Sequence, residues 1–219
     1  MGVVIGDLLP LAVGVAISPI PIVAVVLMLL SRNARITGLG FAVGWVAGIL
    51  VVTAVVLAVA GSLGSGSGGG GTAGAWLKIA LGALLIVLAL GQWRSRADTS
   101  TPKWMRAIDE FTFAKAAGLA VVLSAVNPKN LLLCVSAGIV IGTGGLDLGG
   151  DIAALFVFTV LAAASVLIPV CGYLVAADRI SGALAITKNW LQANNHMVMA
   201  IVLLIMGAVV LGKGIGGLG

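Results

Sequence analysis

Two short stretches decide how this chain is read: "AISPIPIV" (Ala16–Val23) and "SAVNPKNL" (Ser124–Leu131). Each lies deep inside a long apolar run, yet each carries proline, and the second also carries a lysine. Proline in a helix interior removes an N–H donor and clashes with the preceding turn. In a setting without water, the carbonyls it frees must find other partners. Ser18-Pro19 and Asn127-Pro128 have the pattern of a helix N-cap followed by proline at the first helical position, so each stretch predicts that one helix stops and another begins.

The surroundings of these stretches are those of an integral membrane protein. Of 219 residues, 61% are hydrophobic and 9% charged, and mean hydropathy is +1.23, well outside the range of soluble domains. A helix needs about 20 apolar residues to cross about 30 Å of hydrocarbon. Six runs approach or exceed that length: Leu8–Leu30, Ile36–Ala60, Ala75–Leu90, Gly118–Gly142, Ile152–Ala177 and His196–Leu211. Their continuity predicts an all-α membrane protein of six transmembrane helices and argues against the weak alternation of a β-barrel. No basic leader or cleavage pattern precedes the first run, which is therefore expected to be a retained span.

The net charge of +5 is distributed unevenly. Arg32 and Arg35 follow span 1; Arg94, Arg96, Lys103, Arg106 and Lys115 follow span 3; Arg179 and Lys188 follow span 5. The alternate loops hold only Lys78 and Lys213. The positive-inside rule then predicts a plasma-membrane protein with both termini outside. This charge is a topology signal and gives no reason to expect a nucleic-acid partner. Cys134 and Cys171 sit singly in apolar runs, away from any metal-ligand or redox spacing, and neither a P-loop nor a catalytic constellation is present. The chain is accordingly not read as an enzyme, and no cofactor or metal is expected.

Between the spans, Gly61–Gly74 reads as a flexible glycine-serine linker and Gly142–Asp151 as a glycine turn. Thr101–Lys115 places Trp104, Ile108 and Phe111 at helical spacing, as in an amphipathic helix on the inner membrane surface. Ile180, Ala183, Leu184, Thr187 and Leu191, with Trp190, form a weaker second candidate. Pro169 is expected to kink span 5, the Gly40, Gly44 and Gly48 stripe to pack helices, and His196 to cap a span end.

Aligning Pro19 with Pro128 shifts the chain by 109 residues, close to half its length. Each half then holds three spans. Because three is odd, the second half enters the membrane in the opposite sense, as in an inverted-topology repeat. The predicted repeats are residues 1–110, including the cytoplasmic linker, and residues 111–219. Pro19 and Pro128 are the twelfth and eleventh residues of their runs, which at about 1.5 Å per residue puts both near the bilayer midplane.

Two helix N-termini meeting at the midplane would favour an anion. The second offers more, because Pro19 and Pro21 lack N–H groups whereas Lys129 and Asn130 keep theirs and add an ammonium. Placing a lysine at a span centre costs roughly 2.5–3.5 kcal/mol, and such residues normally face a cavity or a partner. All seven acidic residues, Asp7, Asp98, Asp109, Glu110, Asp147, Asp151 and Asp178, lie in loops or at span ends. Cationic substrates are therefore disfavoured. Lys129 is left with a bound anion, a neutral amine form, or backbone carbonyls as its options. The candidate substrate site is Ser18, Pro19 and Pro21 facing Asn127, Pro128, Lys129 and Asn130.

Those same residues carry a family resemblance. "SPIPIVAVVLMLLS", "GLGFAVGWVAG" and "LSAVNPKNLLL" make nearly the whole chain resemble the lysine exporter (LysE) superfamily, and more closely its Gap-like branch of sulfolipid-1-addressing and peptidoglycolipid-exporting proteins. Amino-acid exporters of the superfamily usually show Pro-Gly-Pro where this chain has Pro19-Ile20-Pro21. The resemblance implies a six-span exporter or flippase that helps move a cell-envelope glycolipid across the plasma membrane, with the lipid bilayer and its lipid substrate as partners. A homo-oligomer or a larger export complex is compatible with it. Two other functions also fit the residues: a small-solute or amino-acid exporter, and a non-transporting accessory subunit of a lipid-export complex.

Overall fold

The computed structural model describes residues 1–64, 72–95, 108 and 110–217, and among these it is wholly helical. The elements are α1 (Gly2–Ala16), α2 (Pro19–Leu29), α3 (Ala34–Gly64), α4 (Thr72–Arg94), α5 (Phe113–Ala125), α6 (Pro128–Gly142) and α7 (Leu148–Gly216). The expected breaks are present. α1 and α2 meet at 54°, and α5 and α6 at 68°. Proline forces the residue before it out of the helical region, and Ser18 (ψ 103°) and Asn127 (ψ 116°) are both extended.

A third break appears that the sequence reading did not include. Pro169 lies within α7, but the backbone leaves helical geometry only at Ala176 (φ −148°, ψ 57°), dividing α7 into limbs Leu148–Ala177 and Gly182–Gly216. The charged stretch around Arg179 and Lys188 is thus helical rather than an open loop, and His196 lies inside the second limb instead of at its end. Together with Ala34–Ala60 of α3, these limbs are three helices long and apolar enough to cross a membrane, or up to five spans if each bent pair counts as one. α4, 23 residues long, occupies the place of the expected third span.

Of the expected linker, 61–64 and 72–74 are helical and 65–71 lie outside the described residues. Most of the expected surface helix Thr101–Lys115, Trp104 included, also lies outside them. Its described part behaves differently. Ile108 is buried in the core and Phe111 packs against it, while Phe113 and Lys115 already belong to α5, whose N-cap Thr112 accepts a bond from the Lys115 N–H at 3.3 Å. In the second candidate, Leu184 and Leu191 are buried, whereas Ala183, Thr187 and Trp190 are exposed. Its apolar edge therefore faces protein.

Helix association in lipid depends on close contact between small residues, because lipid is as apolar as the protein interior. The glycine stripe serves that purpose. A Cβ on Gly40, Gly44 or Gly48 would collide with Phe113, Ala117 or Ser124, which seats α3 directly on α5. A second seam joins α4 to the last limb of α7, where Gly82 meets Leu211 and Gly214 meets Ile79. Large apolar side chains such as Val43, Val55, Val87, Phe156 and Ile168 remain exposed, as lipid-facing surfaces require.

Contacts also sort the connections onto two ends. Gly144 approaches Val4, Gly150 approaches Met1, and Lys213 pairs with Asp7 at 2.7 Å, so both termini and the α6–α7 turn share one end. At the turn itself, Gly145 takes the left-handed conformation (φ 65°) that favours glycine.

Candidate functional site at the crossing of two broken helices

The two breaks touch. In a continuous helix the Ile17 carbonyl would accept the N–H four residues on, at position 21, but that residue is proline. The bond is supplied instead by the other half of the chain: Lys129 Nζ donates to the Ile17 carbonyl at 2.9 Å. The same nitrogen donates to Ser18 Oγ at 3.3 Å, and Ser18 Oγ in turn donates to Asn130 Oδ1 at 3.2 Å. Asn130 Nδ2 donates to the Leu123 carbonyl, 3.1 Å away in the last turns of α5.

Side chains of the second break therefore close both breaks, and a continuous chain of direct bonds runs from the end of α1 to α5. Ser18, Lys129 and Asn130 are all at most 1% exposed. Lys129 is among the largest fully buried side chains of the protein. Its terminal nitrogen makes two hydrogen bonds, and among the described residues no carboxylate pairs with it.

Of the seven expected site residues, Ser18, Lys129 and Asn130 are in direct contact. Pro19 and Pro21 are buried beside them, and Pro21 acts by leaving the Ile17 carbonyl open. Asn127 is half-buried and serves as the α6 N-cap, accepting from the Lys129 N–H at 3.1 Å. Pro128 is exposed and starts the helix from outside the cluster. Two features differ from the sequence reading. The Lys129 N–H is already taken by Asn127, and the Ser18 side chain makes no cap bond. The lysine amino group and side-chain polar groups, rather than a row of open N–H groups, are what the site offers. Ile17 and Leu123 were not anticipated because they act through backbone carbonyls, although counting back four residues from Pro21 points to Ile17.

Comparison with family models adds an independent observation: the model described as Sap, sulfolipid-1-addressing protein, matches residues 8–216. This chain belongs to the sulfolipid-1-addressing protein family. The match covers both breaks and every apolar helix, so the chain is a multi-span membrane protein of that family. Comparison with curated proteins and with solved structures found no match.

Elsewhere, His196 Nδ1 and Gln92 Oε1 lie 2.8 Å apart and tie α7 to the end of α4, a structural link and not part of the central cluster.

Proposed function

We propose that this protein is a secondary-type exporter or flippase that carries a cell-envelope (glyco)lipid with an anionic or polar head group across the plasma membrane. The observation that carries the proposal is the buried Lys129 amino group, which bridges two broken helices and has no carboxylate partner among the described residues. An intramembrane lysine held by neutral groups alone suits an incoming anion, which would replace the Ile17 carbonyl and Ser18 hydroxyl with a stronger charge-assisted bond. The family name supports a sulfated lipid as the cargo class.

In this mechanism the head group travels through the protein while the acyl chains stay in lipid. The side chains of the site are closed off, so loading requires the half-helices to part. The breaks provide the hinges: α1–α2 and α5–α6 each join two rigid rods through one or two non-helical residues. The repeat order supports the same motion. A bent pair followed by two helices occurs twice, and we read residues 1–110 and 111–219 as inverted three-helix repeats that rock about the shared site. The end bearing Arg32, Arg35, Arg179 and Lys188 is placed in the cytoplasm by the positive-inside rule, leaving both termini outside.

The test is export of a fluorescent anionic glycolipid from reconstituted vesicles by wild-type protein, Lys129→Met and Lys129→Arg. Export should be lost in the first and partly retained in the second, with both proteins folded. Normal export by Lys129→Met would remove Lys129 from the transport path and favour an accessory role. Export of labelled amino acids instead of lipid would favour the small-solute reading.

A further inference from the structure

The hydrogen bonds of the central cluster all run one way. Asn130 Nδ2 donates to the Leu123 carbonyl, which fixes the orientation of the amide. Asn130 Oδ1 can then only accept, so the bond it shares with Ser18 uses the serine proton. With that proton committed, Ser18 Oγ can only accept from Lys129 Nζ. The Ile17 carbonyl can only accept as well. Lys129 Nζ therefore donates to both of its partners and receives from neither.

A lysine amine has two N–H groups and an ammonium has three. The bonds to Ile17 and Ser18 saturate the amine, whereas they would leave an ammonium with one donor unmet. Asn127 Oδ1, the remaining side-chain acceptor of the motif, is engaged by the Lys129 backbone N–H. Bulk solvent does not reach the lysine either, since it is 1% exposed.

No neighbouring charge makes up the difference among the described residues. α2 has no titratable side chain. Asp7, the one acid of α1, is ten residues before Ile17, about 15 Å along the helix, and is paired with Lys213. Arg35 and Lys115 lie in the first turns of α3 and α5, Lys78 and Arg94 lie toward the ends of α4, and α6 adds only the buried thiol of Cys134. α7 carries Asp151 and Lys213 toward its two ends, Asp178 and Arg179 at the junction of its limbs, Cys171, Tyr173 and Lys188 flanking that junction, and His196 bonded to Gln92. A buried group with neither a counter-ion nor a full set of hydrogen bonds gives up its charge.

We propose that Lys129 is uncharged while the site is empty and takes up one proton with each anionic head group that binds. The lone pair of the amine nitrogen forms the new N–H bond, and the resulting ammonium pairs with the anion. One neutral amine, one proton and one monoanion thus give one neutral ion pair. The inference rests on the anionic-cargo reading above and adds to it how the site changes charge. Because the site is neutral both empty and loaded, a pH difference across the membrane biases head-group transfer and the membrane potential does not.

The test uses the full chain in detergent with isotope-labelled lysine, the Lys129 signal being assigned by its loss in Lys129→Arg. The side-chain nitrogen shift distinguishes amine from ammonium. Calorimetric titration with a short-chain sulfated galactolipid, in buffers of different ionisation enthalpy, counts the protons taken up. The empty protein should show an amine near neutral pH and the saturated protein an ammonium, with one proton taken up per lipid. Apparent affinity should fall about tenfold for each unit rise in pH, because the binding form is the protonated one. Lys129→Arg, charged throughout, should bind without proton uptake and with no such pH dependence. An ammonium in the empty protein would overturn the proposal, as would equal proton uptake by wild type and Lys129→Arg. Lipid binding to wild type without proton uptake would overturn it and leave the anionic-cargo reading standing. Failure of wild type to bind the sulfated lipid at any pH would strike that reading, and this inference with it.

Discussion

Replacing Lys129 by methionine separates a lysine kept for cargo from one kept for architecture. The substitution removes two hydrogen bonds, to the Ile17 carbonyl and to Ser18 Oγ. Ser18 Oγ loses one donor but keeps its own proton on Asn130 Oδ1. The Ile17 carbonyl is orphaned, because Pro21 has no N–H to offer it. An unsatisfied buried acceptor costs about 1–3 kcal/mol. Against this stands the cost of holding lysine at the span centre, roughly 2.5–3.5 kcal/mol on insertion scales, which methionine removes. Methionine is also unbranched and of similar length, so little cavity follows. The two effects nearly cancel, with the balance on the stabilising side by about 0–2 kcal/mol. Reversible unfolding in bicelles, or a detergent thermal melt calibrated against it, should find Lys129→Met as stable as wild type or slightly more so, and export abolished. A loss of about 3 kcal/mol or more, the size expected when a buried ion pair loses one member, would refute the reasoning and make the lysine a structural pin.

Pro21→Ala restores an N–H that can reach the Ile17 carbonyl, so it should compete with Lys129 and reduce the 54° bend between α1 and α2; spin-label distances across the break would record this, and an unchanged bend would assign the break to Pro19 alone. Gly44→Val should destabilise the protein by about 2 kcal/mol or more, within the range seen for overpacking, because the added Cβ runs into the backbone of Ala117. Gly91→Ala, where a Cβ meets nothing, is the matched control in the same melt. Charge reversal of the half-exposed Asp7–Lys213 pair in the double variant Asp7→Lys/Lys213→Asp should change stability by no more than about 1 kcal/mol, as for other solvent-accessible pairs.

The breaks were legible in the sequence because their grammar is local: a small polar residue, then proline, inside an apolar run. So was the small-residue stripe at Gly40, Gly44 and Gly48, whose spacing alone implies a helix seated close by. The crossing of the breaks was legible only as symmetry. A matching depth for Pro19 and Pro128 predicts that they share a level in the membrane, not that Lys129 spans from one to the other. Its partner was hidden because a backbone carbonyl has no letter in the sequence. The Ala176 break was hidden too. Ala176 is a good helix former, and its non-helical backbone between the two limbs has no signal in its own letter. The Asp7–Lys213 pair joins positions at both ends of the chain, and no periodic pattern connects them.

Lys129 also bears on what happens between cargoes. A carrier must return empty, and an unmet charge at mid-membrane would draw in water or a stray ion during that half of the cycle. In the proposed cycle a vacated Lys129 would have the Ile17 carbonyl to fall back on, an acceptor that the proline four residues later keeps open. In the transport cycle proposed above, the first break would act as an internal stand-in for the cargo, letting the unloaded protein reset without leaking protons or salt.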